Sequence, residues 1–172
     1  VTAFADGEPA APPAVQNEAK TALAPGNTIT KGNLTYTVND DGQTVTLTDG
    51  HSATGEITIP EAIEKGEESY SVTGVGDFAF GVCSALESVT FSGNIDSIGD
   101  EAFSHCFDLK NVTFSGDVDS IEDFAFWACT ALKTLTFSSS VDSIGGFAFS
   151  GCKALESVTF PGDVGNIENN AF

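Results

Sequence analysis

The 172 residues predict a solenoid of stacked 23-residue coils, and three observations carry that fold class. From Val75 the same residue types return at one spacing. Val75, Ile98, Ile121, Ile144 and Ile167 open successive units, followed in register by Ala79, Ala102, Ala125, Ala148 and Ala171, each with a phenylalanine after it. Further along, Cys83, Cys106, Cys129 and Cys152 align, then Leu86, Leu109, Leu132 and Leu155, then Phe91, Phe114, Phe137 and Phe160. The register passes through four full units without an insertion, as the stacking of equal coils demands. One unit alone buries too little apolar surface to offset the entropy of ordering its backbone. Stacked units cover one another's faces and pair their backbones.

Residues 1–30 read as a flexible N-terminal linker, because Pro12, Pro13 and Pro25 sit among alanines and polar residues with almost nothing large and apolar after Phe4. Within it, Ala3-Phe4-Ala5 has the small-x-small form at which a signal peptidase cuts, which sets an expectation of export, although an alanine-rich tail also produces that form by chance. Residues 31–74 read as an N-terminal cap of short strands. Leu34–Val38 and Val45–Leu47 alternate around Asn39-Asp40-Asp41-Gly42, a hairpin signal, and Ile57–Ile59 and Tyr70–Val72 are two further strands. Residues 75–172 hold four full repeats and a partial fifth. No dedicated cap is visible after Phe172, so the C-terminal end is expected to expose apolar side chains and strand edges and to be a surface for self-association.

Inside one unit, Leu86–Phe91 reads as a strand with Val89 and Phe91 inward and Ser88, Thr90 and Ser92 outward. Gly93, Gly116 and Gly162 turn the chain, and Ile95, Val118, Val141 and Val164 point back into the core. The segment that follows carries Ala, Phe and Cys at spacings of one and three, which suits a short helical turn facing the core.

The stretches "IGDEAFSHCFDLKNVTFSG" and "IGGFAFSGCKALESVTFPG" resemble the BspA-like leucine-rich repeat family of bacterial surface and secreted proteins, strongly over residues 75–172 and weakly over the segment before them. The resemblance implies a leucine-rich-repeat solenoid, α/β or mainly β, with a parallel sheet on one face and short helical turns opposite. It also implies a secreted or cell-surface location and a role in adhesion or recognition.

Composition excludes several function classes. Lys and Arg together number 6 against 25 acidic residues, a net charge of -19 that repels phosphate backbones and anionic lipid alike, so no nucleic acid partner and no membrane insertion are expected. No apolar run approaches the roughly 18 residues of a membrane-spanning helix. The four cysteines lack the C-x-x-C spacing of a metal site. They read as buried free thiols, with bridges between neighbouring coils left open by distance. His105 beside Cys106 is a poor catalytic pair, since adjacent residues do not face one another and the cysteine recurs elsewhere without a histidine. With no phosphate-binding or nucleophile motif, no catalytic residues, no cofactor and no metal are assigned. Asp96, Asp119 and Asp142 form one row and Asp77, Asp100 and Asp123 another; hydrogen bonds to serine or backbone satisfy such rows, and calcium is the alternative.

Two residues break the repeat toward a binding surface. Trp127 stands where sister units carry Gly81, Ser104 and Ser150, and Phe107 where they carry Ser84, Thr130 and Lys153. Positions that accept Gly, Ser and Lys are exposed ones, so these rings are candidate anchors for a protein or glycan partner, packing on each other being the alternative. The outward face of the strands, Ser88, Thr90, Asn111, Thr113, Thr134 and Thr136, is the second candidate surface. The function expected is a non-catalytic, exported interaction module, with a structural spacer or self-assembling unit as the alternative.

Overall fold

Period-two patterning and evenly spaced corners give a chain built from strands and turns. The computed structural model describes residues 22–172. Residues 1–21, with the Ala3-Phe4-Ala5 mark and most of the predicted linker, lie outside the described residues. The amino-terminal strands are β1 (Thr28–Lys31), β2 (Leu34–Val38) and β3 (Thr44–Asp49), which pair antiparallel in sequence. At the β2–β3 turn the Asp41 carboxylate accepts the amides of Gln43 and Thr44 at 2.8 and 2.9 Å while Gly42 takes a φ of +67°. That combination is why an Asp-Gly pair makes the hairpin. β4 (Gly55–Ile59), β5 (Ala62–Lys65) and β6 (Glu68–Val75) follow, with β5 antiparallel to β6 and β6 parallel to β3.

Each later coil contributes two strands. One set is β7 (Leu86–Phe91), β9 (Asn111–Phe114), β11 (Thr134–Phe137) and β13 (Val158–Thr159); the other is β8 (Ile95–Ile98), β10 (Val118–Ile121), β12 (Val141–Ile144) and β14 (Val164–Ile167). The first set joins β4 in a five-stranded parallel sheet. The second continues from β6, so that the order β1-β2-β3-β6-β8-β10-β12-β14 runs from the hairpin through the solenoid, with β5 beside β6. Register is held residue for residue: Val89 opposes Val112, Val112 opposes Leu135, and Leu135 opposes Val158.

Two details differ from the sequence reading. There are two parallel ladders, because the Ile95–Ile98 corner pairs with its sister corners as strand, both isoleucines buried and Ser97 set against Ser120. Among the described residues there is no helix. The Ala-Phe-x-x-Cys segment instead alternates its donors. The amides of Ala102, Ser104 and Cys106 bond three residues back within the coil, while those of Glu101, Phe103 and His105 reach the carbonyls of Asp123, Ala125 and Trp127 on the next coil. Positive φ at Glu101 (53°) and His105 (59°) breaks any helical run and aims alternate amides out of the coil.

Inside, like sits on like. The rings of Phe80, Phe103, Phe126, Phe149 and Phe172 stack with centroids 4.7, 4.9, 5.2 and 5.2 Å apart. A second column, Phe91, Phe114, Phe137 and Phe160, meets the first edge-on where Phe91 approaches Phe103. The cap joins the first coil through Gly50, whose amide donates to the carbonyl of Ala79. A Cβ on Gly50 would fall 2.1 Å from the Phe80 ring, so only glycine lets that backbone close on the top of the column.

Candidate interaction surface

The turn segments stack into an edge of the solenoid, and its side chains are fixed by the alternation just described. Residues whose backbone turns inward bury Ala and Phe; the residues between them point out. One outward column runs Phe78, Glu101, Phe124 and Phe147, which the inter-coil amides hold one above another. Phe124 and Phe147 stack at 5.2 Å with planes 2° apart. Trp127 meets Phe124 edge-on at 5.8 Å, and His105 stands perpendicular to Trp127 at 4.7 Å. His105 in turn meets Phe107 at 5.6 Å. The result is a continuous run of five rings across three coils, with Phe107 43 % exposed, Trp127 37 % and Phe147 39 %.

Phe107 and Trp127, singled out by their departure from the repeat, are therefore not in direct ring contact; His105 joins them. Phe124 and Phe147 had no such signal, because phenylalanine is the commonest residue of their column. At the cap end of the same edge Phe78 lies over Gly81 and 5.7 Å from the His51 ring.

The strand-face candidates occupy a different side. Ser88 and Asn111 pair in register, as do Asn111 and Thr134, and beside them Thr90, Thr113 and Thr136 form a straight column that Thr58 and Thr159 extend at its two ends. The two candidate surfaces are not brought together.

The Asp77, Asp100 and Asp123 row lies at the turns that follow the second set of strands, and the Asp96, Asp119 and Asp142 row lies on the exposed side of β8, β10 and β12. Asp77 accepts the amide of Asp100 at 3.1 Å, and Asp123 accepts that of Gly146 at 2.6 Å, so backbone donors satisfy part of this row. Burial against the corner, then the charges of Asp77, Asp123 and Glu122, push the Asp100 carboxyl above the ordinary aspartate value. Asp119 is raised in the same way, by desolvation and then by Asp96, Asp142 and Asp117. Among the described residues no group of three or more His, Cys, Asp and Glu is placed to hold a metal ion.

All four cysteines are free and buried. The thiols of Cys106, Cys129 and Cys152 each donate to the carbonyl of the core phenylalanine one coil earlier, at 3.1, 3.1 and 3.2 Å, and Cys83 donates to the carbonyl of Ala53 at 3.0 Å. Cys106 thus points into the core while the His105 ring lies on the outer edge against Trp127. A cavity of about 590 Å³ lies against the last coils and is lined by Phe149, Cys152, Leu155, Val158, Phe160 and Phe172.

Two stacked parallel ladders, a buried Phe-Cys-Leu core and a turn edge free to vary define a leucine-rich-repeat solenoid. The BspA type leucine rich repeat region matches residues 54–172 in six copies, and the chain belongs to that family. Among solved structures it is similar to a leucine-rich repeat protein from Bacteroides capillosus, with 28 % identity, a TM-score of 0.62 and coverage of 82 % of this chain and 98 % of that one. A leucine-rich repeat protein from Eubacterium ventriosum has 28 % identity and a TM-score of 0.57, over 69 % of this chain and 30 % of that chain. The fold is shared with the T. pallidum leucine-rich repeat protein, at 24 % identity and a TM-score of 0.66 over 75 % of this chain and 58 % of that one. No curated protein matches the sequence.

Proposed function

We propose that this solenoid is a non-catalytic interaction module of the bacterial surface or its surroundings, which captures a protein or glycan partner through the aromatic turn edge. The observation that supports it most directly is the run of rings from Phe107 through His105 and Trp127 to Phe124 and Phe147, in which Phe107, Trp127 and Phe147 are exposed and His105 and Phe124 half-buried between them. Large aromatics supply much of the energy of protein interfaces, and here they stand on stacked, hydrogen-bonded coils that hold them in place. The family membership supports a surface or secreted location. The nearest thing to a catalytic pair, His105 and Cys106, faces two ways, in keeping with a binding role.

Capture of partners from the native environment, followed by affinity measurement on the purified partner, tests this. The F107S/W127S double variant should bind more weakly by more than about 1 kcal/mol. Unchanged affinity moves the site to Ser88, Thr90, Asn111, Thr113, Thr134 and Thr136.

A second reading, an assembly unit, is favoured by the 590 Å³ cavity, whose Phe160 and Phe172 rings end their two columns in positions that a further coil would cover, whether from the same polypeptide or another. Sedimentation equilibrium of the chain distinguishes the two: concentration-dependent association that F172S weakens supports assembly.

A further inference from the structure

We infer that the occupant of the aromatic edge is a basic segment of a partner protein, one that presents arginine or lysine side chains to the rings of Phe124, Trp127 and Phe107. This deepens the interaction-module reading and rests on it. The rings and the carboxylates are interleaved. Glu101 occupies the place between Phe78 and Phe124 in the outward column, and Asp77 and Asp123 immediately precede Phe78 and Phe124 on the neighbouring row. Glu122 adds a further carboxylate to the same corner, where it acts on Asp100 together with Asp77 and Asp123.

Stacking one coil on the next forces these like charges into a row, and a row of anions on the same edge as the partly exposed Phe107, Trp127 and Phe124 rings is the surface complementary to a guanidinium or ammonium group. The cation lies over a ring face, its charge is met by the adjacent carboxylates, and its alkyl stem covers apolar surface. Lys110 does not neutralise the row, since it is engaged by Glu87 at 2.6 Å; Lys153 shares the column of Phe107 two coils further on, which leaves the anionic end at the earlier coils. An anionic ligand meets the opposite field, and the net charge of -19 extends that field over the whole chain.

Trp127 is the sole tryptophan, so its emission reports occupancy of the edge directly. The full chain is titrated with an arginine-rich synthetic peptide, the same peptide with citrulline in place of arginine, a glutamate counterpart and a neutral glucose oligosaccharide, each also followed by calorimetry. The expected result is a saturable change in Trp127 emission with the arginine peptide alone, weakened about tenfold or more between about 50 and 500 mM salt. E101Q/D123N and, separately, F107S should each weaken it by about fivefold or more. If the citrulline peptide, the glutamate peptide or the oligosaccharide moves Trp127 as much as the arginine peptide does, the basic occupant is overturned while an aromatic binding edge stands. Calorimetric binding of the arginine peptide that leaves Trp127 emission and the F107S variant unaffected shows attraction to net charge only, and overturns the proposal. Silence of all four probes overturns it as well.

Discussion

The Sγ of Cys106 donates to the carbonyl oxygen of Phe80 across 3.1 Å, and the amide of Cys83 donates to the same oxygen at 3.0 Å. One carbonyl thus ties the turn of its own coil and the core of the next.

Burial and these hydrogen bonds should keep the thiols slow to react in the native protein. Burial, then the neighbouring Cys106, pushes Cys83 up to about 11, so its thiol stays protonated at pH 8. Thiol labelling at that pH should be negligible until denaturant is added and should then count four, with Cys152, at the last full coil, reacting first as denaturant rises. Cys106→Ala should cost about 1–2 kcal/mol, chiefly in packing, because the Phe80 carbonyl keeps its bond from Cys83.

Core and edge aromatics should separate cleanly in stability. Phe103 is buried between two stacked rings, so Phe103→Ala should cost about 3–5 kcal/mol in a denaturant melt. The F107S/W127S pair loses only edge-on contacts on the surface and should cost under about 2 kcal/mol in all.

Val82 is a β-branched residue held at a φ of 61° and 56 % exposed, at the position that Gly151 fills in a sister coil. A left-handed conformation costs a non-glycine residue roughly 1–2 kcal/mol, of which the greater freedom of unfolded glycine returns only part. Val82→Gly should therefore raise stability by about 0.5–1 kcal/mol, read as a higher melting temperature.

The carboxylates give a pH dependence of two signs. Asp100 and Asp119 have folded values above the ordinary 3.8, so their destabilising contribution is absent well below that value, grows as pH rises through it, and is complete above their raised values. Asp41, held down by the amides of Gln43 and Thr44, and Asp49, held down by His51, act oppositely. Their stabilisation is present above 3.8 and lost as pH falls through their depressed folded values. Asp100→Asn should thus raise the melting temperature at neutral pH and have no effect well below 3.8. Added salt should stabilise the native chain at neutral pH and do so less in that variant.

The Ala, Phe, Cys and Leu ladders were legible because equal spacing and apolar identity survive translation from coil to coil. The second parallel ladder was not: Ile95 and Ile98 are both buried at a spacing of three, which lacks the alternation by which a strand is recognised. The turns looked helical because Ala102, Phe103 and Cys106 have helical spacing, and nothing in the side chains of Glu101 or His105 announces a positive φ. At the edge, Phe107 and Trp127 were visible as exceptions to a pattern. Phe124 and Phe147 were hidden as members of one, and His105 was weighed only against its neighbour Cys106.

Because every coil presents the same residues to its neighbours in the core, the interior is nearly indifferent to the order in which the coils occur. The outer edge is not, since its run of touching rings draws Phe107, Trp127 and Phe147 from three different coils and is continuous only when those coils follow one another. A gene rearrangement in whole units of 23 codons could shuffle, drop or duplicate coils and keep a folded product, yet assemble a new set of side chains on the rim each time. Such a scaffold lets its rim change by recombination with little loss of foldability.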